Sequence, residues 1–583
     1  MGGGHNFQPM RGLRSVWALR TLDTSGRPLI QRVLDSRGIT DPGFLRPSLN
    51  QLHEPSLMPG LERAAARIFQ AIRERQRIVI YADYDVDGVS AAAILWHMIR
   101  AIDPNATVAT YLPHRIEEGY GLNDEAITRL CDSHDLIVSV DCGVTAVGPA
   151  RIAMERGIDL IITDHHTPPR DPGGLPQALA IVHPLGPGKA PYPFPDLCGA
   201  GVAFKVAWRL ATLASGAPRA TAELQRVLIE LLALAAMGVI ADVVPLRGEN
   251  RVLARFGLDQ ITRSTMVGVR ALRDESGLGG DGVDASDIGF RLGPRLNAIG
   301  RLGHAREALE MLTTADEARA RQIGASLTGW NDERRRMEAQ ITEQAAGLAI
   351  TTGMADTAQR AIVLCDQDWH RGVVGICCSR LVGLYHRPTI LLRRDGDLCH
   401  GSGRSIDGFD LHAALEACGE HLESFGGHPM AAGLKVRWDR FDAFKQAFLA
   451  YANDRLSPDH MVPRRVVDAE CVVGELNMAQ TEALDSLKPF GRDNARPLLL
   501  VRDATIASEP RALGNTGKHV RFDIKHGPSM LRVKAWNWTA DLAKAGATLR
   551  PGRAFDFLLS PEINTWNGRR SVEATLEDLR PAD

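Results

Sequence analysis

Short apolar runs rich in β-branched residues punctuate the first half of the chain: Ile78-Val79-Ile80, Leu136-Ile137-Val138 and Leu160-Ile161-Ile162. The stretches between them carry helical patterning, over Gly88 to Ile102 and from Asn123 onward, with a further strand expected at Thr107 to Leu112. Strands of this length alternating with helices predict a doubly wound parallel sheet, here assigned to residues 71–304. Residues 1–70 read as helical and loop-like, with an amphipathic helix from Leu61 to Arg75 leading into the first strand. A Pro- and Gly-rich stretch from Pro168 to Pro195 is a surface connection, and two helical segments follow it, ending near Asp242. Residues 305–350, rich in Glu, Arg and Ala, predict one long connecting helix. A second, smaller α/β unit occupies 351–455 and opens on the strand Ala361 to Cys365. After a linker near Ser457 to Pro463, short alternating segments such as Val520 to Ile524 and an Asn567-Gly568 turn predict an all-β barrel over 464–583. The chain is thus expected to be a multidomain α/β protein.

A length of 583 residues agrees with three or more domains, because single cores stop growing well below that size. A formal net charge of −2 exerts no global pull on nucleic acid or membrane, so a polyanionic partner must be held by local basic clusters or by metals. The nine cysteines are scattered, and the adjacent pair Cys377-Cys378 lacks zinc-ligand spacing, which fits a reducing cytoplasm. Met1 to Asn6 shows no hydrophobic signal core. The apolar run Leu231 to Ala241 is too short to cross a bilayer and ends at Asp242, so no membrane segment is expected.

Chemistry concentrates where the apolar runs stop. Asp83, Asp85 and Asp87 follow the first run, Asp141 the second, and Asp164-His165-His166 the third. In a parallel sheet those positions are carboxyl ends of strands, where ligands bind. Three carboxylates within five residues repel one another unless cations compensate, so the cluster calls for more than one metal. Histidine among acids moves the preference toward manganese, iron or zinc over magnesium alone. The competing calcium-loop reading of Asp83-Tyr84-Asp85-Val86-Asp87-Gly88 fails, because the twelfth position is Ile94 where a glutamate is needed. At the other end of the chain, period-two alternation in Leu531 to Trp538 would place Arg532, Lys534, Trp536 and Trp538 on one strand face. Cations interleaved with aromatics suit single-stranded DNA, although a core role for one tryptophan is the alternative.

The motifs Asp83-Tyr-Asp85-Val-Asp87-Gly88, Val140-Asp141-Cys142-Gly143, Asp164-His165-His166 and Ile240-Ala241-Asp242-Val243-Val244 resemble the four ordered motifs of the DHH phosphoesterase superfamily. Gly426 to Gly433 resembles the signature of its associated second domain, the DHHA1 type. Tyr111 to Leu122, Leu197 to Lys205 and Gly293 to Arg301 narrow the likeness to the RecJ family of 5′→3′ single-strand-specific DNA exonucleases, over nearly the whole chain.

The resemblance implies that Asp83, Asp85, Asp87, Asp141, His165 and Asp242 ligate two Mn²⁺ or Mg²⁺ ions, with Asp141 bridging them. It implies that His166 faces the scissile phosphate and that Asp164 orients the histidines. Arg115, Arg295, Asn297 and Arg301, in segments whose glycines and prolines read as loops, would grip substrate. Arg301 with Ser402 and Arg404 would bind the 5′ phosphate, and Gly427 and His428 would contact the backbone. Gly403 stands where that family commonly has Ala, which leaves Ser402 and Arg404 in place. The C-terminal barrel would be an oligonucleotide-binding fold using Arg532, Lys534 and Trp536. The implied protein is a monomeric cytoplasmic nuclease of DNA recombination and repair, supplied with unwound DNA by a helicase and a single-strand-binding protein. Two alternatives remain: a phosphodiesterase for short RNA or cyclic dinucleotides, and a catalytically inactive DNA-binding replication scaffold.

Overall fold

The computed structural model describes residues 7–20, 26–114, 118–119, 121–169, 171–186, 191–280, 282–302, 305–515, 517–544 and 549–582. The chain divides into two compact units, one of residues 43–334 with 488–495 and the other of 1–42, 335–487 and 496–583.

The first unit is built on a five-stranded parallel sheet in the order Val108–Tyr111, Ile78–Ala82, Leu136–Val140, Asp159–Thr163, Ala180–Val182. The three central strands are buried along almost their whole length, which is why they read as continuous apolar runs instead of alternating ones. Helices cover the sheet, with Val86–Ile102 packed against Gly199–Ser215 and Ala222–Ala241. The last of these is the one described helix long and apolar enough to cross a membrane, and most of it is buried inside this unit, where its C-cap is Asp242.

The second unit holds two sheets of interest. One has five strands, Ser424–His428, Ala431–Arg437, Leu398–Arg404, Thr389–Asp395 and Ile362–Asp366 in that order, with the helix Val374–Tyr385 packed on it. The other has seven strands, with Ala469–Glu470 and Arg511–Leu513 at its ends; its inner five run Leu499–Ile506, Ala554–Trp566, Arg569–Pro581, Ser529–Ala535, His519–His526, and the pairs Thr505↔Lys525 and Ile506↔Ile524 return to the first of these and close a five-stranded barrel. Phe522, Phe555 and Phe557 fill it.

Three expectations differ from the structure. The N-terminal segment is not helical throughout: Phe7–Arg11 and Val16–Arg20 form a hairpin, and the second strand pairs in parallel with Arg464–Val467. Its anchor is remote in sequence. Asp578 is buried and accepts from Ser15 N (2.8 Å) and from Trp17 Nε1 (2.9 Å). The segment 305–350 is two helices, Arg306–Thr313 and the 35-residue Glu317–Thr351. Asp316 Oδ1 accepts from Arg319 N (2.8 Å) as an N-cap, and a new helix starts there. Finally, Arg295, Asn297 and Arg301 lie on the helix Gly293–Leu302 and not in loops.

Candidate metal centre

Register explains why the acids converge. Ala82 is opposite Val140, and Val140 opposite Thr163, so the next residues, Asp83, Asp141 and Asp164, leave three adjacent strands at the same level. The ladder continues one step beyond the strands, with Asp141 N donating to Thr163 O (2.9 Å) and Asp164 N to Val182 O (3.1 Å). Asp85 then caps the helix Val86–Ile102, its Oδ1 accepting from Asp87 N (2.8 Å) and Gly88 N (3.1 Å). Gly88 is required there, because a Cβ would stand 2.4 Å from Asp83 O. Asp242 arrives at the end of the long apolar helix.

The resulting cluster offers three groups whose ligand atoms lie within 4.8 Å of one another: Asp83, Asp85 and Asp141; Asp87, His165 and Asp242; Asp141, His165 and His166. Together they contain all six expected ligands, and Asp141 shares its group with each histidine. His165 Nε2 lies 3.1 Å from Asp141 Oδ1 and 3.7 Å from both Asp87 Oδ2 and Asp242 Oδ2. Neither His165 Nε2 nor Asp141 Oδ1, both buried, has a hydrogen-bond partner. Buried polar atoms are nearly always satisfied, so these two fit a donor set for a cation. Asp141 also holds a left-handed backbone conformation (φ 61°), which costs energy for a residue other than glycine and is tolerated where function over-determines it.

Electrostatics give the same answer. Burial, then the charges of Asp87, Asp85, Asp83 and Asp242, push the Asp141 carboxyl well above its ordinary value. Burial and the charge of Asp87 raise Asp85. Asp242 is pushed up to about 8 by burial and by Asp87 and Asp85. His165 is lowered to about 4 by burial, so it is a neutral imidazole, the form that ligates metals.

Asp164 and His166 form a separate device. Burial alone would raise the acid and lower the base, but their 2.7 Å hydrogen bond and mutual charge outweigh it, holding Asp164 at about 2 and His166 at about 9. Asp164 Oδ1 also accepts from His165 N (2.7 Å) and its Oδ2 from Val144 N (2.8 Å). With Nδ1 bound to Asp164, His166 offers only Nε2 to a ligand.

Several supporting residues escape a reading of the motifs. The first turn of the helix Gly199–Ser215 grips Asp87, with Gly199 N donating to Oδ2 (2.6 Å) and Ala200 N to Oδ1 (2.8 Å). A Cβ at Gly199 would stand 2.5 Å from Asp141 Oδ1, and one at Gly238 2.3 Å from Asp87 Oδ1. His183 is buried. Leu185 N donates to its Nδ1 (2.9 Å), so its Nε2 carries the hydrogen and donates to His166 O (2.7 Å). Gly199 lies in the Leu197 to Lys205 motif without a role legible there, Gly238 stands in an ordinary helical run and His183 stands alone; the folded neighbourhood exposes what each does.

The expected substrate residues fall in different places. Asn297 reaches the acid turn, but its Oδ1 accepts from Val86 N (3.1 Å). Arg295 lies on the same helix and donates to Arg291 O (2.8 Å) and Thr328 Oγ1 (3.2 Å), and Arg301 is half-buried near its end. Arg115 lies outside the described residues. In the other unit, Arg404 pairs with Ala431, which pairs with His428, while Ser402 pairs with Gly433, which pairs with Gly426. Ser402, Arg404 and His428 therefore rise from one face of the sheet over a floor of two glycines and an alanine. A Cβ on Gly375, in the first turn of Val374–Tyr385, would lie 3.3 Å from Ser402 Oγ and 3.4 Å from Arg404 Nη2. Gly427 (φ 142°) sits in the row between, where a Cβ would be 2.4 Å from Ala431 O.

On the barrel, alternation stops one residue early. The strand ends at Ala535 and Asn537 turns left-handed (φ 58°), which sends Trp538 into the core, with Nε1 donating to Leu576 O, and leaves Trp536 44% exposed against His519. Lys534 Nζ is 2.6 Å from Glu573 and 3.3 Å from Glu562, and Arg532 is 3.4 Å from Asp523.

Comparison with known proteins follows the same division. Residues 77–239 match the model of the DHH family N-terminal domain, 358–454 the DHHA1 domain and 467–578 the RecJ OB domain. The single-stranded-DNA-specific exonuclease RecJ of Bacillus subtilis is 36% identical over 560 residues, covering 94% of this chain and 68% of that protein. The corresponding protein of Thermus thermophilus is 37% identical over 528 residues, covering 90% and 72%. The crystal structure of Thermus thermophilus RecJ in complex with Mn²⁺ superposes with a TM-score of 0.79 at 32% identity, covering 97% of this chain and 80% of that one. A second crystal structure of the same protein holds Mg²⁺.

Proposed function

The chain belongs to the RecJ family of DHH proteins, and from that membership and the chemistry of the acid cluster we propose that it is a Mn²⁺- or Mg²⁺-dependent exonuclease that digests single-stranded DNA from the 5′ end. The observation that carries the reading is the six-donor cluster whose central atoms, Asp141 Oδ1 and His165 Nε2, are buried without a hydrogen-bond partner. Asp83, Asp85, Asp87, Asp141, His165 and Asp242 would hold two divalent cations, which supply Lewis-acid activation of the attacking water and charge neutralisation at the phosphate.

The chain's own residues do the rest. Asp141, shared between the donor groups, would hold the two sites at a common level. His166, kept protonated by Asp164, can donate from Nε2 to an oxygen of the scissile phosphate as charge develops there. Asp164 acts through the histidines and the Val144 amide, as a positioning residue. Ser402, Arg404 and His428 offer hydroxyl, guanidinium and imidazole donors on one sheet face floored by glycine and alanine, a suitable grip for a terminal 5′ phosphate. Service in DNA recombination and repair follows from that activity. The nine unpaired cysteines support work in a reducing cytoplasm. A nuclease of this kind would act as a monomer where a helicase and a single-strand-binding protein supply unwound DNA.

Strands labelled at the 5′ or the 3′ end, incubated with Mn²⁺ or with chelator, test the proposal. Early release of the 5′ label as mononucleotide, dependent on metal and absent on blunt duplex, is expected. Release of the 3′ label first would overturn the polarity, and cleavage in chelator the metal dependence.

A further inference from the structure

An exposed apolar side chain is ordinary by itself, but Phe290 is held out, just before the helix that rests on the acid turn, by a turn that has an identifiable cause. It is 81% exposed, the most exposed large apolar side chain among the described residues. It occupies the middle of a π-helical turn, Ile288–Leu292, in which Gly293 N donates to Ile288 O, five residues back. Pro294 explains that turn. It has no N–H for the Phe290 carbonyl four residues before it, and its ring crowds that carbonyl, so the helix widens there. Gly293 has no room for a side chain, since a Cβ would stand 2.8 Å from Ile288 O. Ile288 and Leu292, on either side, are buried, which fixes the turn. Single π turns of this kind are disfavoured and recur at functional sites.

The turn leads directly into the helix that lies on the acid cluster. Asn297 accepts from Val86 N, and a Cβ on Gly300 would be 3.2 Å from Tyr84 O, so the helix Gly293–Leu302 rests on the Tyr84–Val86 backbone. Seven helical residues separate Phe290 from Asn297, a rise on the order of 10 Å, which is within reach of the next one or two nucleotides of a bound strand. The adjacent Arg291 is committed to the scaffold, bonded to Ser276 O (2.6 Å), Gly277 O (3.0 Å) and Asp287 (3.2 Å). The ring is what this turn presents outward.

We propose that Phe290 is a stacking residue that takes one unpaired base of the incoming single strand onto its ring and so sets the strand's position relative to the metal centre. Every base has a π face, so the contact carries no sequence preference, but a base within a duplex, already stacked on both sides, cannot make it. This rests on the single-strand reading above. Hydrolysis by the unaltered protein tests that reading, and a binding cycle that needs no turnover tests Phe290 alone.

Binding of a single-stranded oligonucleotide is measured in chelator with wild type, Phe290→Ala and Phe290→Trp, together with oligonucleotides carrying one abasic position at each site in turn. Phe290→Ala is expected to bind the intact strand about tenfold more weakly, the loss of one stacked base. Phe290→Trp should bind as wild type does. One abasic position should weaken wild type by a similar factor and leave Phe290→Ala no weaker than before, with unchanged melting temperatures. Equal affinity of Phe290→Ala and wild type, weakened binding by both variants, or the same abasic profile in both proteins would overturn the proposal.

Discussion

The acid rim of the first unit and the outer face of the barrel are both crowded with charge, and they are built in opposite ways. On the barrel the two cations of the strand Ser529–Ala535 each meet a carboxylate of their own sheet: Lys534 with Glu573 and Glu562, Arg532 with Asp523. At the rim, carboxylates are buried together, their charges raise one another's pKa, and two central atoms have no hydrogen-bond partner. Charge neutralised by its own chain is scaffold, whereas charge buried without compensation marks the place where an ion from outside belongs.

The sharpest way to break the contrast is Asp141→Ala. Hydrolysis should fall by roughly 10³-fold or more, the size of loss seen when an essential charged group is deleted from a preorganised site, while single-strand binding in chelator stays close to wild type. Retained activity in saturating Mn²⁺ would put the barrel and the rim on equal footing.

Asp164→Asn should have a smaller effect, about 10- to 100-fold, because Asp164 acts through other residues. Its pH profile is the diagnostic. In wild type, His166 is raised to about 9, so the donating imidazolium persists through neutral pH and is lost as pH rises through that value. Without the Asp164 charge and hydrogen bond, burial is opposed only by the charges of Asp242 and Asp83, and the alkaline limb of kcat/KM in Mg²⁺ should move down toward the ordinary histidine value of about 6.5. An unmoved limb would remove His166 from the chemistry.

Lys534→Ala should change hydrolysis least. The lysine is already spent on Glu573, so DNA affinity should shift by less than about twofold, as for other paired surface cations, while the melting temperature falls because Glu573 is left buried with a weaker partner. A large loss of DNA binding with unchanged melting would show that the barrel cations serve the substrate.

How much of this was legible in the sequence follows from range. Asp83, Asp141 and Asp164 could be read because each follows its own apolar run within three residues, and the parallel register turns that local fact into proximity. The grip of Gly199 and Ala200 on Asp87 joins residues more than a hundred positions apart, so the Leu197 to Lys205 motif is visible in the sequence but its partner is not. The N-terminal hairpin was misread for the same reason, since Trp17 is satisfied by Asp578 near the other end of the chain. Around Arg295 the error was one of grammar: Gly293 and Pro294 read as loop-formers, but they accommodate a π turn that feeds a helix. On the barrel, one left-handed residue, Asn537, ended the alternation and reversed the fate of Trp538.

A melting series tests most directly that the buried acids of the rim are built to hold divalent cations. Because Asp85, Asp141 and Asp242 have folded-state pKa values above their unfolded ones, they stabilise the metal-free fold at low pH, and that contribution is lost as pH rises through the folded values, up to about 8 for Asp242. Chelated wild type should therefore melt at progressively lower temperature from about pH 5 to about pH 8, and Mn²⁺ should raise the melting temperature more at the upper end than at the lower. A melting temperature that Mn²⁺ leaves unchanged at every pH would contradict the account.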